Sequence, residues 1–328
     1  MYRLVYSDYD MPTFEIEEQV LDPLGVEIVL AASSDEDTLA REVKQADVLM
    51  AGYAPITAAI VEAAAAGRCR AIVRNGIGYD NIDVATAVRH GIPVANVPDY
   101  CVNEVADHTM SMLLAFARRL IDVVLTTRSG GWEIPRDSIP RLAGRKLALI
   151  GVGRIGRRVA SRAQAFDLVV EAFDPARPGD VPGVAYAESP EDLVRDADYI
   201  SIHAPLTAET HHMVDSRMID AMRHAPLLIN NSRGGLVDLN AVTKALHSGQ
   251  LSGVALDVFE VEPLSADHPL RSHPHAILTP HMSYYSNESE HEVIRRSAEE
   301  VARALRGEPL LNPVTELRVP RTLAEPGA

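Results

Sequence analysis

Cysteine is nearly missing from this chain: Cys69 and Cys101 are the only two in 328 residues. Two thiols make no disulfide framework, and their scarcity fits a reducing compartment. No apolar run reaches the length of a membrane span. Long basic runs are missing too. With 31 Lys and Arg against 46 Asp and Glu, the formal net charge is −15, which argues against a nucleic-acid or anionic-membrane surface. The first ten residues, Met1 to Asp10, read as a short strand running into acids rather than as a signal peptide. No internal repeat or low-complexity segment stands out. The expectation is a soluble, cytoplasmic globular protein, 47% hydrophobic and 23% charged. Its length points to two domains.

What is present is more specific. The apolar run Lys146-Leu147-Ala148-Leu149-Ile150 leads into Gly151-Val152-Gly153-Arg154-Ile155-Gly156 and then a helical stretch. A second apolar run, Leu168 to Phe173, ends at Asp174. Strand, glycine triplet, helix and a following acid make up a dinucleotide fingerprint. Gly151 permits the tight turn, Gly153 the approach of a pyrophosphate, and Gly156 close packing of helix on sheet. The diphosphate then meets unpaired N–H groups at the positive end of the helix dipole. Asp174 can accept both ribose hydroxyls and repel a 2′-phosphate, so NAD is expected over NADP.

On either side of this motif the chain is α/β in pattern. Leu4–Tyr6, Glu27–Leu30, Val48–Met50 and Ala71–Val73 read as buried parallel strands. Helices are expected over Asp35–Gln45, capped by Ser34, and over Ile56–Ala66. Gly76-Ile77-Gly78 follows the fourth strand directly, which puts exposed amides at a strand's carboxyl end, where open α/β sheets bind ligands. One long helix from Asn103 to Arg128 is expected, apolar on more than one face, packed between domains, against a second subunit, or both. Gly130-Gly131-Trp132 ends it, with Trp132 expected as packing. Later strands Tyr199–Ile202, Leu227–Asn230, Val254–Leu256 and Ala276–Leu278 each run into polar loops, among them His203, Asn231, Ser232 and Asp257, where the cofactor is expected. A last helix spans about Glu288 to Arg306, closed by Gly307.

Three of the loops carry Arg233, Glu262 and His281. Arginine can bind a carboxylate and polarise a carbonyl through a fixed fork of donors. Histidine can give or take a hydroxyl proton as a hydride moves. A carboxylate beside an imidazole favours its charged form. In this respect the chain resembles the D-isomer-specific 2-hydroxyacid dehydrogenases. Besides the fingerprint, the matching stretches are Asn75–Asp83, His203–Thr207, Asn231–Asp238, Leu256–Pro263 and Thr279-Pro280-His281.

The resemblance implies two Rossmann-like, doubly wound parallel-sheet domains with a cleft between them. A discontinuous substrate domain would take residues 1–97 and 282–328, and an NAD-binding domain residues 98–281. Arg233 would bind substrate, Glu262 would tune the base and His281 would be the acid/base. Ile77 and Gly78 would offer amides to the substrate carboxylate. Thr109, Arg154, Ile155, Asp174, Pro205, Thr210, Asn231 and Asp257 fall where the family holds NAD. Within the family, Tyr100–Thr109 and His281–Ser286 lean towards the branch of the C-terminal-binding transcriptional corepressors, with Tyr284 where that branch usually carries Trp.

The reading is therefore an NAD-dependent oxidoreductase that interconverts a small D-2-hydroxy acid and its 2-oxo acid. The alternative is an NAD-sensing, corepressor-like interaction protein with residual activity. A homodimer joined through the Asn103–Arg128 helix is expected. Arg74, at a strand end, is either a substrate contact or a structural ion-pair residue. Tyr284 is expected to shape the substrate pocket. No metal is expected: His268, His273, His275 and His281 crowd one segment, but no spacing among them matches a helical or Cys-paired site.

Overall fold

The computed structural model describes residues 1–9, 13–136, 139–176 and 179–321. The chain divides into two compact units, Met1–Tyr100 with Ser286–Ala328, and Cys101–Tyr285. Each is built on one parallel sheet.

The first unit has strands β1 (Tyr2–Tyr6), β2 (Val26–Leu30), β3 (Val48–Ala51), β4 (Ala71–Arg74) and β5 (Val94–Ala95), in the order β2-β1-β3-β4-β5. That is the flavodoxin-like doubly wound order. Side chains of β1 alternate between two cores. Val5 joins Leu39, Ile60 and Val61 on one face, while Leu4 and Tyr6 join Val301 and Leu305 on the other. Strands covered on both faces read as unbroken apolar runs, and β3 and β4 are buried throughout. The C-terminal helix Asn287–Arg306 returns to close this unit. Ser286 caps it with a reciprocal box to Ser289, and Gly307 ends it in the left-handed conformation (φ 73°).

The second unit has β6 (Lys146–Ile150), β7 (Val169–Phe173), β8 (Val184–Tyr186), β9 (Tyr199–Ile202), β10 (Leu227–Asn230), β11 (Gly253–Leu256) and β12 (Ala276–Leu278). Their order is β12-β11-β10-β9-β6-β7-β8, all parallel. This is the dinucleotide-fold order with one strand added. Again the central strand alternates: Leu147 and Leu149 pack with Leu113 and Val159, Ala148 and Ile150 with Val242 and Leu246. Strand order reverses between β6 and β9, so the crevice for a ligand opens at residues 151–153 and 203–205.

Three expectations change. The long helix is two: Val102–Ala117 and Leu120–Arg128, broken where Arg119 takes a left-handed conformation (φ 51°). The first half is buried against β10 and β11, but the second buries no residue at all. Trp132 does not pack; it is 90% exposed. The helix expected to start at Ser34 is capped instead by Asp35, whose carboxylate accepts from the Thr38 amide at 2.9 Å. Among the described residues no helix is long and apolar enough to cross a membrane.

Candidate active site

The fingerprint turn is shaped by close approach. Gly151 has φ 96°, and a Cβ there would lie 2.6 Å from the His203 carbonyl oxygen. A Cβ on Gly156 would lie 2.3 Å from the Gly151 carbonyl oxygen. The loops after β6 and β9 thus touch through backbone at the switch point. Gly153 faces the opposite situation: nothing lies within 4 Å of where its Cβ would stand. Gly153 is the N-cap of the helix Arg154–Ala165 and makes no side-chain cap. Among the described residues the amides of Gly153, Arg154 and Ile155 donate to no protein acceptor. Arg154 is exposed, and Ile155 packs on the core.

Asp174 ends β7, half-buried. Its Oδ2 accepts from the Val152 amide at 2.9 Å and its Oδ1 from the Ala176 amide at 3.0 Å. Its carboxylate is therefore fixed beside the glycine turn with lone pairs to spare. His203 keeps some exposed surface, yet its Nδ1 is buried without a partner while Nε2 meets Ser201 Oγ at 2.9 Å. Burial pushes this imidazole down to about 4, so it is neutral at neutral pH. Asn231 Nδ2 donates to Thr109 Oγ1 at 2.9 Å, and its buried Oδ1 has no partner. Open space at Gly153, free helix-terminal amides, a fixed acid and two orphaned buried polar atoms fit a dinucleotide. Thr210 Oγ1 donates to the Pro205 carbonyl at 2.7 Å and closes that loop.

Arg233, Glu262 and His281 come from the loops after β10, β11 and β12. The Arg233 turn is held by Asn230, whose Nδ2 donates to the Arg233 carbonyl at 2.8 Å, and by Ser232 Oγ, which donates to the Ile202 carbonyl at 2.7 Å. Next to it, Gly234 is pressed against the Phe259–Glu260 peptide so closely that a Cβ would lie 1.9 Å from the Phe259 carbonyl carbon. Any other residue there would push the Arg233 and Glu262 loops apart. Glu262 Oε1 accepts from the Phe259 amide at 2.8 Å, and Oε2 meets His281 Nδ1 at 2.8 Å. Burial opposes ionisation of Glu262. The hydrogen bond and charge of His281 and the Phe259 amide outweigh it, so the carboxyl lies below its ordinary value. An ionised Glu262 on Nδ1 aims the other ring nitrogen of His281 away from itself as a proton donor or acceptor.

Asp257 anchors the loop that carries His281. It is fully buried. Its Oδ1 accepts from Thr279 Oγ1 (2.5 Å) and the Met282 amide (2.9 Å), and its Oδ2 from the Ser283 amide (2.9 Å). Its carbonyl accepts from the His281 amide at 2.8 Å. Burial raises its pKa, but these bonds win and hold it below the ordinary value. His281 has φ 52°, a left-handed conformation that costs a non-glycine residue about 1–3 kcal/mol. Asp257 holds it there. The sequence reading missed His108, whose Nε2 lies 3.2 Å from Thr279 Oγ1 and 3.9 Å from Asp257 Oδ1. Its one signal was its place beside Thr109 in the Tyr100–Thr109 stretch. Tyr284 sits edge-on to His281, ring centroids 6.5 Å apart.

In the first unit, Arg74 is 8% exposed and ends β4 with its guanidinium 5.7 Å from the Tyr53 ring centre. Its Nη1 donates to the Asn75 carbonyl, and Gly76 (φ 148°) leaves it room, since a Cβ there would meet Nη1 at 3.0 Å. The amides of Ile77 and Gly78 donate to no protein acceptor among the described residues.

Known proteins are similar to this chain. The sequence pattern described as D-isomer specific 2-hydroxyacid dehydrogenase, NAD binding domain, matches residues 110–283. The chain is 34% identical over 325 residues to a D-3-phosphoglycerate dehydrogenase of Methanocaldococcus jannaschii, covering 98% of this chain and 61% of that longer protein. It is 35% identical over 309 residues to a glyoxylate reductase of Korarchaeum cryptofilum, covering 90% of this chain and 92% of the relative. A solved D-lactate dehydrogenase from Aquifex aeolicus, complexed with NAD and lactic acid, superposes with a TM-score of 0.85 at 28% identity, covering 95% of this chain and 98% of that one. The chain thus belongs to the D-isomer-specific 2-hydroxyacid dehydrogenases and is an NAD(P)-dependent dehydrogenase.

Proposed function

We propose that this protein interconverts a small D-2-hydroxy acid and its 2-oxo acid, with NAD preferred over NADP. The observation that carries the reading is the contact of Glu262 Oε2 with His281 Nδ1 at 2.8 Å, beside the loop that presents Arg233. Bound at the fingerprint, the nicotinamide supplies or accepts the hydride. Arg233 holds the substrate carboxylate and polarises the carbonyl. His281, oriented by Glu262 on Nδ1, donates a proton to the carbonyl oxygen in reduction and takes it back in oxidation. The family resemblance makes the Ile77 and Gly78 amides further candidates for substrate contact, and Arg74 is another by its place at the end of β4. Tyr284, beside His281, shapes the side-chain specificity. Asp174 supports the preference for NAD, because a 2′-phosphate would meet its charge.

The units 1–97 with 282–328 and 98–281 serve, in this reading, as substrate and NAD-binding domains. The helix Leu120–Arg128, which exposes Leu120, Ile121, Val124 and Leu125 to between 39% and 60%, supports a homodimer. The corepressor-like branch rests on residues 100–109 and 281–286 alone, and the intact Arg–Glu–His set favours the enzyme over a binding protein. A cytoplasmic setting fits two buried cysteines with no disulfide. The relatives' names span phosphoglycerate, glyoxylate and lactate, so the substrate pair is the open quantity. A panel of 2-oxo acids with NADH, followed by loss of its absorbance, tests the proposal. Turnover of at least one small 2-oxo acid supports it, and NADH binding without any turnover would favour the sensor reading.

A further inference from the structure

Away from the hydride-transfer residues, His211, His212 and Glu260 bring three ligand atoms within 4.8 Å of one another. Among the described residues they are the one such group of three His, Cys, Asp or Glu side chains. His211 and His212 stack, ring centroids 3.9 Å apart, and His212 Nε2 already contacts Glu260 Oε1. Glu260 lies 48 residues beyond His212, so no local spacing announces the group.

The backbone holds both sides of the cluster firmly. The His211 amide donates to the Thr207 carbonyl at 3.0 Å, and the His212 amide to the Gly235 carbonyl at 2.8 Å. Glu260 follows the peptide that presses on Gly234. The two ligand sources therefore meet across the Gly234–Gly235 turn, one step beyond Arg233 and two residues before Glu262.

We propose that His211, His212 and Glu260 form a binding site for a single divalent transition-metal ion of borderline softness, Zn2+ being the representative. Two imidazoles and one carboxylate suit such an ion, whereas Mg2+ and Ca2+ take oxygen ligands. Bonds of about 2.0–2.2 Å in a tetrahedral site need ligand atoms roughly 3.3 Å apart. Side-chain rotation at the exposed His211 and Glu260 closes the remaining gap, and solvent fills the fourth position. Bound there, the ion cross-links the 207–212 loop to the 257–262 loop and stiffens the frame behind Arg233 and Glu262.

Calorimetric titration of tag-free protein with zinc chloride tests this without turnover. The expected result is one Zn2+ per chain with a dissociation constant in the micromolar range and a thermal midpoint raised by a few degrees, with no response to Mg2+. His211→Ala and Glu260→Gln, both on exposed side chains, should weaken binding by on the order of tenfold to a hundredfold and abolish the midpoint shift. His273→Ala, in the separate His247–His273–His275 group, should leave binding intact. Equal affinity in the wild type and His211→Ala, loss of binding in His273→Ala instead, or no binding at about 100 μM zinc would each overturn the proposal. The last result would leave the His212–Glu260 contact as an ordinary ion pair.

Discussion

Asp257 spends both carboxylate oxygens on the 279–283 loop, and through that loop it fixes where His281 stands. Asp257→Asn replaces one acceptor with a donor facing an amide donor, a mismatch worth about 1–3 kcal/mol in a buried place. The expected outcome is a lower thermal midpoint and a fall in kcat larger than the change in NADH affinity. The pH dependence follows from the same bonds. Asp257 has a depressed pKa in the fold, so its stabilising contribution is full above the unfolded value of about 3.9 and is lost as pH falls through the lower folded value. Acid unfolding of Asp257→Asn should therefore be less steep than that of the wild type. Glu262 acts on rate. Glu262→Gln removes the carboxylate that meets His281 Nδ1 and orients the ring, so kcat should fall by on the order of tenfold or more with NADH affinity unchanged, and an unchanged kcat would sink that role. Asp174 acts on the choice of cofactor. In the wild type, kcat/KM for NADH should exceed that for NADPH on the order of a hundredfold, and Asp174→Ser should bring the ratio towards unity; an unchanged ratio counts against it.

At the scale of elements, long parallel strands were legible because burial on both faces makes continuous apolar runs. β5, two residues long, and β8, three, carry too little pattern to be seen. The break at Arg119 was invisible for another reason: no glycine or proline marks it, and its left-handed turn is held by tertiary contacts, including Arg119 Nη2 with His275 Nε2 at 3.1 Å. That break matters, because it separates a helix whose apolar residues belong to the unit's own core from one whose apolar residues face out. The excess of apolar positions noticed in the sequence is thus divided between two tasks. A symmetric dimer would cover the outward half. Leu125→Glu, at a position 60% exposed, should release folded monomers in light scattering with little loss of thermal stability. An unfolded chain, or an unchanged mass that was monomeric from the start, would contradict the dimer.

Across the whole molecule, the candidate site was legible where one motif carries its own chemistry and illegible where partners meet over long separations. The fingerprint glycines and Asp174 sit within one strand–helix–strand passage, and sequence order alone located them. The support behind His281 did not show, since His108 meets Thr279 across 171 residues and Asp257 reaches Ser283 across 26. Glu262 and His281, 19 residues apart, were linked through family resemblance rather than through any local pattern. The account's central claim is that the His281–Glu262 pair moves the proton while the fingerprint holds NAD. Its most direct test is the rate of NADH oxidation by the turned-over 2-oxo acid in wild type and His281→Ala, with NADH affinity read separately by fluorescence. The account predicts a loss of roughly two to four orders of magnitude in rate with NADH binding retained. A His281→Ala protein that turns over at the wild-type rate would contradict it.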